Sequence, residues 1–392
     1  MPAGRLSVLE LNRATLERQL LLRREAQPAL AAIRHLAGLQ AQAPLAPYVG
    51  LQARLAGFGP GELKDLLTGR TVVRAHLMRN TVHLVTAADF VTFRPLLQPV
   101  LDRALAGTFG RRLAGVDLAR LQAMARPLLA RSALTRTQLG EQLAAHWPGH
   151  EPAALAYAAT HLLPLVQVPP RGLWGGGGPA TWFLAAAWLD GQEPGRQESG
   201  RQESGRPEPV SEESGPPDPA QAVAQLVLRY LGAYGPATVA DIQAWSGLSR
   251  LREVTERLGS RLRPLAGPDG AELLDLPDAP RPGPDVPAPP RFLPEYDNLL
   301  LSFADRSRVI RPARPVPLPP GNGASAGTVL VDGFWAAEWA LTRGRGEPVL
   351  EVRPFTRLDP GQLDAVTAEG RRLLSFAAPT AHDIRIISPD LQ

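Results

Sequence analysis

Apolar positions recur at helical spacing through the first 70 residues. Leu9, Leu11, Leu16 and Leu20 mark a helix within Leu6 to Leu22, and Leu30, Ile33 and Leu36 mark a second from Pro28 to Leu36. Tyr48 to Leu55 predicts a third, and Pro60 suits the first turn of a fourth, Gly61 to Leu67. The period then shortens. Val72, Val73, His76 and Met78, followed by Thr81 to Val85, predict two short strands joined by a tight turn at Arg79-Asn80. Helices followed by a hairpin are the layout of a winged helix.

The same order recurs downstream. Ala87 to Leu105 reads as helix. Asp117 caps a helix that Pro127 is expected to end near Arg126. Thr135 to His146, the Pro148-Gly149 turn and Pro152 to Leu163 predict helix, turn and helix, with a strand at Leu165 to Val168 and an apolar run from Ala180 to Leu189. Gln221 to Tyr234 is helical. In Thr238 to Ser249, Val239, Ile242 and Trp245 form an inner face, Gly247 makes the turn and Ser249 caps a second helix from Arg250 to Leu258. Leu262 to Leu276, broken at Pro268-Asp-Gly, predicts its hairpin. The C-terminal part reads as strands at Asn298 to Phe303, Val309 to Arg311, Thr328 to Val331, Phe334 to Ala340, Pro348 to Pro354 and Ile384 to Ile387, with a helix from Leu363 to Phe376. The fold class is α+β, mainly helical. The expected modules are 1–110, 111–190, 220–280 and a β-rich 281–392, with 191–219 as linker. That linker repeats Arg-Gln-Glu-Ser-Gly and is too rich in Gly, Pro, Ser and Glu to bury a core.

Composition narrows the function. The 392 residues contain no cysteine, which excludes disulfides, Fe–S clusters and thiol catalysis. No apolar run approaches the roughly 18 residues of a membrane span. Met1 to Asn12 lacks a signal layout, so a cytoplasmic protein is expected. Lys64 is the sole lysine; the other basic residues are arginines, as a GC-rich genome produces. The linker carries seven acids and three arginines, so the remainder is more basic than the overall net +4. A basic body suits a nucleic-acid partner. The seven histidines lack metal-ligand spacing. His146 and His150 stand four apart, but Pro148-Gly149 breaks the helix their pairing needs, so no metal and no cofactor is expected.

The candidate chemistry starts at Gly38 to Pro44, Gly-Leu-Gln-Ala-Gln-Ala-Pro. Gly38 stops the preceding helix and Pro44 extends the chain before it. On an extended chain Gln40 and Gln42 share a side. Two adjacent carboxamides hold a water or a base edge without carrying charge; the plainer alternative is a solvated polar loop. Glu295-Tyr-Asp297-Asn298 is a second polar cluster, whose alternative is an ordinary turn.

Taken in order, Leu39-Gln-Ala-Gln-Ala-Pro, Val73-Arg-Ala-His-Leu-Met-Arg-Asn-Thr-Val-His-Leu, Leu293-Pro-Glu-Tyr-Asp-Asn-Leu-Leu-Leu-Ser-Phe-Ala-Asp-Arg-Ser-Arg and Val329-Leu-Val-Asp-Gly-Phe-Trp resemble the AlkZ-type winged-helix DNA glycosylases. The resemblance implies tandem winged-helix modules in a C-shaped body around a DNA cleft. It also implies excision of alkylated purines, N7-alkylguanines among them, with interstrand crosslinks unhooked by some members. Gln-x-Gln matches the AlkZ branch, and Gln42 departs from the Gln-x-Asp of a sister branch. Asn80 replaces the glycine usual at its position.

On that resemblance Gln40 and Gln42 orient the attacking water and face the oxocarbenium-like sugar with carbonyl dipoles. Neutral amides are not strong bases near pH 7, so an assisting carboxylate would be Asp297 or Glu295. Arg74, Arg79, Arg306 and Arg308 are candidate phosphate contacts, and His83 and Asn298 candidate DNA-facing residues. Strand cleavage needs an amine nucleophile. With Lys64 alone besides the N-terminus, a monofunctional enzyme is expected, acting as a monomer on double-stranded DNA with alkylated purines and without a membrane. The rival is a non-enzymatic winged-helix transcription regulator, which has no use for the glutamine pair.

Overall fold

The computed structural model describes residues 5–192, 194, 218–311, 326–342, 348–380 and 383–387. The expected linker 191–219 lies outside the described residues apart from 191, 192, 194, 218 and 219. The chain divides into two units, 1–65 with 227–392, and 66–226.

The first unit begins with α1 (Val8–Arg18), which Ser7 and Glu10 open as a reciprocal capping box. α2 (Ala29–His35) ends in a Schellman turn: Gly38 N–H donates to Ile33 O and Ala37 N–H to Arg34 O. Ala37 (φ 53°) and Gly38 (φ 98°) both take left-handed backbone there. β1 (Leu39–Gln40) and α3 (Ala46–Arg54) follow, with all of α3 buried except Gln52. α4 (Pro60–Thr68) spans the unit boundary.

The second unit opens on β2 (Val72–His76) and β3 (Val82–Thr86), which pair antiparallel. His76 pairs with Val82, so the connection is five residues long, Leu77 to Thr81, and not the tight turn expected at Arg79-Asn80. A one-turn 3-10 helix, Met78–Asn80, fills it, with Arg79 (φ 54°) and Asn80 (φ 58°) both left-handed. α5 (Ala87–Leu96), α6 (Gln98–Phe109), α7 (Leu118–Arg131), β4 (Leu134–Thr135), α8 (Arg136–Ala144), α9 (Pro152–Leu162), β5 (Leu165–Val168), β6 (Thr181–Leu184) and α10 (Ala185–Leu189) complete it. Its strands run in the order β3-β2-β5-β6-β4. α7 corrects the expected stop, since it continues through Pro127 to Arg131. Its buried face, Leu121, Ala125 and Leu129, extends past the proline, and that packing offsets the lost backbone bond.

α11 (Pro219–Tyr234) returns the chain to the first unit. α12 (Val239–Ser246), Gly247 at φ 79° and α13 (Arg252–Leu258) form the foreseen helix-turn-helix, followed by the hairpin β7 (Arg263–Ala266) and β8 (Glu272–Asp275). Ser249 does not cap α13. The helix begins three residues later, and Gln243 Oε1 takes the Leu251 N–H. β9 (Arg291–Leu293), β10 (Gly327–Val331), β11 (Phe334–Thr342), β12 (Val349–Pro354) and β13 (Asp383–Ile386) make a sheet in the order β13-β12-β11-β10-β9, and α15 (Pro360–Ala377) is the closing helix. Alternation along β9 and β10 sends Phe292 and Val329 into one core with Val49, Leu350, Val366 and Leu373. It sends Leu293 and Leu330 into a second with Leu16, Ala53, Leu299 and Trp335.

Two expected strands are absent. Asn298 to Leu301 is a helix, α14, because Asp297 caps it by accepting the Leu299 N–H at 3.0 Å and its three leucines are buried on every side. A short apolar run reads alike as strand or helix until its cap is known. Val309 to Arg311 is irregular, and the strand in this region is instead β9.

The first unit holds a fully buried ion pair between α1 and β8. Arg18 donates to both oxygens of Asp275, at 2.6 and 2.9 Å, and to Leu231 O at 2.9 Å. Removing one member of such a pair strands the other charge. Asp275→Ala should therefore lower the unfolding free energy by about 3–5 kcal/mol. Glu272→Ala breaks the exposed Arg252 pair and should cost no more than about 1 kcal/mol. Urea titration of the two variants checks the contrast.

Candidate active site

The glutamine stretch belongs to the first unit. The Schellman turn of α2 throws the chain straight into β1, so Gln40 lies on extended backbone immediately after a helix end. Gln40 is 6 % exposed and Gln42 half-buried, with Ala41 between them fully buried. The chain then turns through Pro44 into α3. Asn298, the first residue of α14, donates its Nδ2 to Gly38 O at 3.2 Å and ties the start of the stretch down from the C-terminal region.

Asp297 is 4 % exposed and receives Arg54, the last residue of α3, at both oxygens, each at 2.9 Å. Arg54 also donates to Gln19 O, Gln19 Oε1 and Gly50 O, and Gln19 in turn donates to Ala233 O at 2.7 Å. The α3 helix that follows the glutamines is thus fixed at its far end to the segment that carries Asn298. Sequence reading missed Arg54 and Gln19. The available signal was a lone arginine closing an otherwise uncharged run, Ala46 to Ala53. Glu295 stands two residues before Asp297 and is half-buried. Burial raises its carboxyl above the usual range, and a hydrogen bond from its own backbone opposes this.

Seven of the ten candidate residues lie in this unit: Gln40, Gln42, Glu295, Asp297, Asn298, Arg306 and Arg308. Arg306 is half-buried. Arg308 is buried and donates to Pro236 O at 2.7 Å, with its guanidinium 4.3 Å from the Phe303 ring and Asp241 at 3.7 Å. Arg74, Arg79 and His83 lie in the second unit. Arg74 is buried and donates to Arg171 O, passing where a Cβ on Gly172 would sit. His83 is fully buried on β3, its Nδ1 3.1 Å from Thr81 O. Arg79 is half-buried at the hairpin turn. Beside it Asn80 donates to the Tyr157 hydroxyl at 3.2 Å, and its Oδ1 lies 2.8 Å from His161 Nε2. The residue that replaces a glycine therefore anchors the turn to α9. Burial holds His161 down to about 4 and His76, whose ring lies tilted beside it at 4.9 Å, well below the usual histidine range.

A family model described as DNA glycosylase AlkZ-like matches residues 33–376. The chain belongs to that family. It is a DNA glycosylase, an enzyme of DNA repair, and the non-enzymatic regulator is set aside. A solved structure of Streptomyces sahachiroi DNA glycosylase AlkZ matches with a TM-score of 0.69 and 19 % identity, over 98 % of this chain and 100 % of that one. The likeness shows a shared fold of mixed helix and sheet. No curated protein matches by sequence. No helix among the described residues is long and apolar enough to cross a membrane.

The raised carboxyl of Glu295 gives a stability signature. Its ionised form is disfavoured in the folded state, so the penalty is absent below pH 4.5 and present once pH exceeds the raised value. Glu295→Gln should leave the melting temperature nearly unchanged at pH 4 and raise it at pH 7, as thermal unfolding across that range checks.

Proposed function

We propose that this glycosylase hydrolyses the N-glycosidic bond of alkylated purines in duplex DNA, N7-alkylguanine first among them, and leaves an abasic site. An N7-alkylated purine is already cationic and leaves readily. What remains is to stabilise an oxocarbenium-like sugar and to deliver water. The observation that carries the reading is the uncharged Gln40-Ala-Gln42 stretch, with Gln40 buried, Gln42 half-buried and its start at Gly38 tied down by Asn298. Amide carbonyls held still act on developing positive charge without reorganising, which suits a dipolar role.

Both oxygens of Asp297 serve Arg54, so Asp297 acts as a positioning residue for α3 and α14. Glu295, half-buried with a raised pKa, is the carboxylate left to assist the water. Lys64 is exposed on α4, and the chain has no second lysine to form a Schiff base with the abasic sugar. Arg79 and Arg306 are the two half-buried arginines of the four candidates and take the phosphate role; Arg74 and Arg308 support the interior around them. The order α11, α12, α13, β7, β8 supports reading this part of the chain as a winged-helix module, and bulky adducts or interstrand crosslinks extend the same substrate class.

The test is release of 7-methylguanine from alkylated duplex. The Gln40→Ala/Gln42→Ala variant should lose at least about 100-fold in rate, the scale of one lost preorganised donor, while DNA affinity survives. Borohydride should trap no covalent complex with the wild type. Unchanged release in the variant, or a trapped adduct, overturns the mechanism. Separately, Arg79→Glu/Arg306→Glu should weaken binding to undamaged duplex and lower the salt slope by about 2, read by fluorescence anisotropy between 50 and 200 mM salt.

A further inference from the structure

At the far end of α3 from the glutamines the first unit opens a cavity of about 660 Å³. Arg24, Arg371, Arg372, Phe58 and Phe376 stand among its walls, beside the small and apolar stretch 55–57. α15 sets this composition. Arg372 and Phe376 are four residues apart and share a side, as do Arg371 and Ser375. The Phe58 and Phe376 rings lie 5.9 Å apart.

The charge here does not balance. Glu369 is the acid beside the cavity, and it is spent. Arg24 donates to its two oxygens at 2.5 and 3.3 Å, and Arg291 lies 3.9 Å away. Arg371 and Arg372 are exposed and make no ion pair among the described residues. Both α3 and α15 end here, and their carbonyl ends draw cations. One role for the arginines is therefore to answer those helix ends. Arg371 and Arg372, left over from the Arg24–Glu369 pair, exceed that need. A concave surface with surplus guanidinium forks beside aromatic rings matches a phosphate joined to a flat base. The volume falls within the range of small-molecule sites, about 300–1,000 Å³.

We propose that this cavity is a second nucleotide-binding site, with the phosphate on Arg371 and Arg372 and the base against Phe58 and Phe376. The nine residues of α3 put it about 13 Å from the glutamine stretch, roughly four nucleotide steps along a duplex axis. The ligand chemistry is common to a free mononucleotide and to a DNA strand that flanks the lesion, and it is independent of the glutamine chemistry.

The experiment compares wild type with Arg371→Glu/Arg372→Glu. It uses calorimetric titration with dAMP and with inorganic phosphate, and anisotropy of an undamaged labelled duplex over a salt series. If the source is a strand, the variant should lose about 10-fold or more in duplex affinity and about 1.8 in salt slope, with dAMP binding weak in both proteins. If the source is a free nucleotide, dAMP should bind the wild type, more tightly than phosphate, and should fail to bind the variant. Either result sustains the site. Duplex affinity, salt slope and dAMP binding all unmoved, with only the melting temperature lowered, would assign the arginines to the helix ends alone and overturn it. Arg371→Gln, a single exposed change, gives the same readouts at about half the slope loss should the double variant fail to fold. Because the duplex is undamaged, base release plays no part in the result.

Discussion

A guanidinium and a carboxylate that cannot reach water hold this protein's candidate site together. Arg54 and Asp297 are each buried, 243 residues apart in sequence, and each satisfies the other with two bonds at 2.9 Å. Taking two charges out of water is costly, and the pair is tolerated because the remaining valences are filled too, Arg54 by Gln19 and Gly50 and Asp297 by the first turn of α14. The consequence is geometric. The helix after the glutamines and the helix carrying Asn298 become one rigid piece, and Gly38, where the glutamine stretch begins, is bonded to it.

The same economy explains why several residues that look like surface chemistry are interior. Arg74, Arg308 and His83 are buried, each with a backbone carbonyl as partner. Arg79 and Arg306 remain nearer the solvent. In the second unit Asn80 stands where a glycine would make the turn freely. It accepts left-handed backbone, as asparagine does, and adds bonds to Tyr157 and His161. The turn is thereby tied to α9, and burial lowers the pKa of both neighbouring histidines.

Most helices, both hairpins and the strand Leu165–Val168 were legible from spacing and turn residues, because local rules decide them. The misreadings share a cause. Pro127 did not end α7, since the apolar face on its far side is buried. Asn298 to Leu301 is helix because a cap, itself held by a distant arginine, outranks an apolar run. Ser249 lost its capping role to Gln243, eight residues before the amide it bonds. Each time a contact made elsewhere overruled a local preference.

The sequence by itself determined the α+β class, the absence of thiol chemistry, the uncharged Gln40-Ala-Gln42 pair and the order of motifs that marks the family. It determined these because composition and short-range spacing belong to the chain before it folds. Only the tertiary structure decided which charges are buried, that Asp297 is already engaged by Arg54 while Glu295 keeps a raised carboxyl, and that Arg371 and Arg372 meet Phe58 at the end of α3. Desolvation and charge pairing act between residues hundreds of positions apart, and distance in space has no trace in distance along the chain.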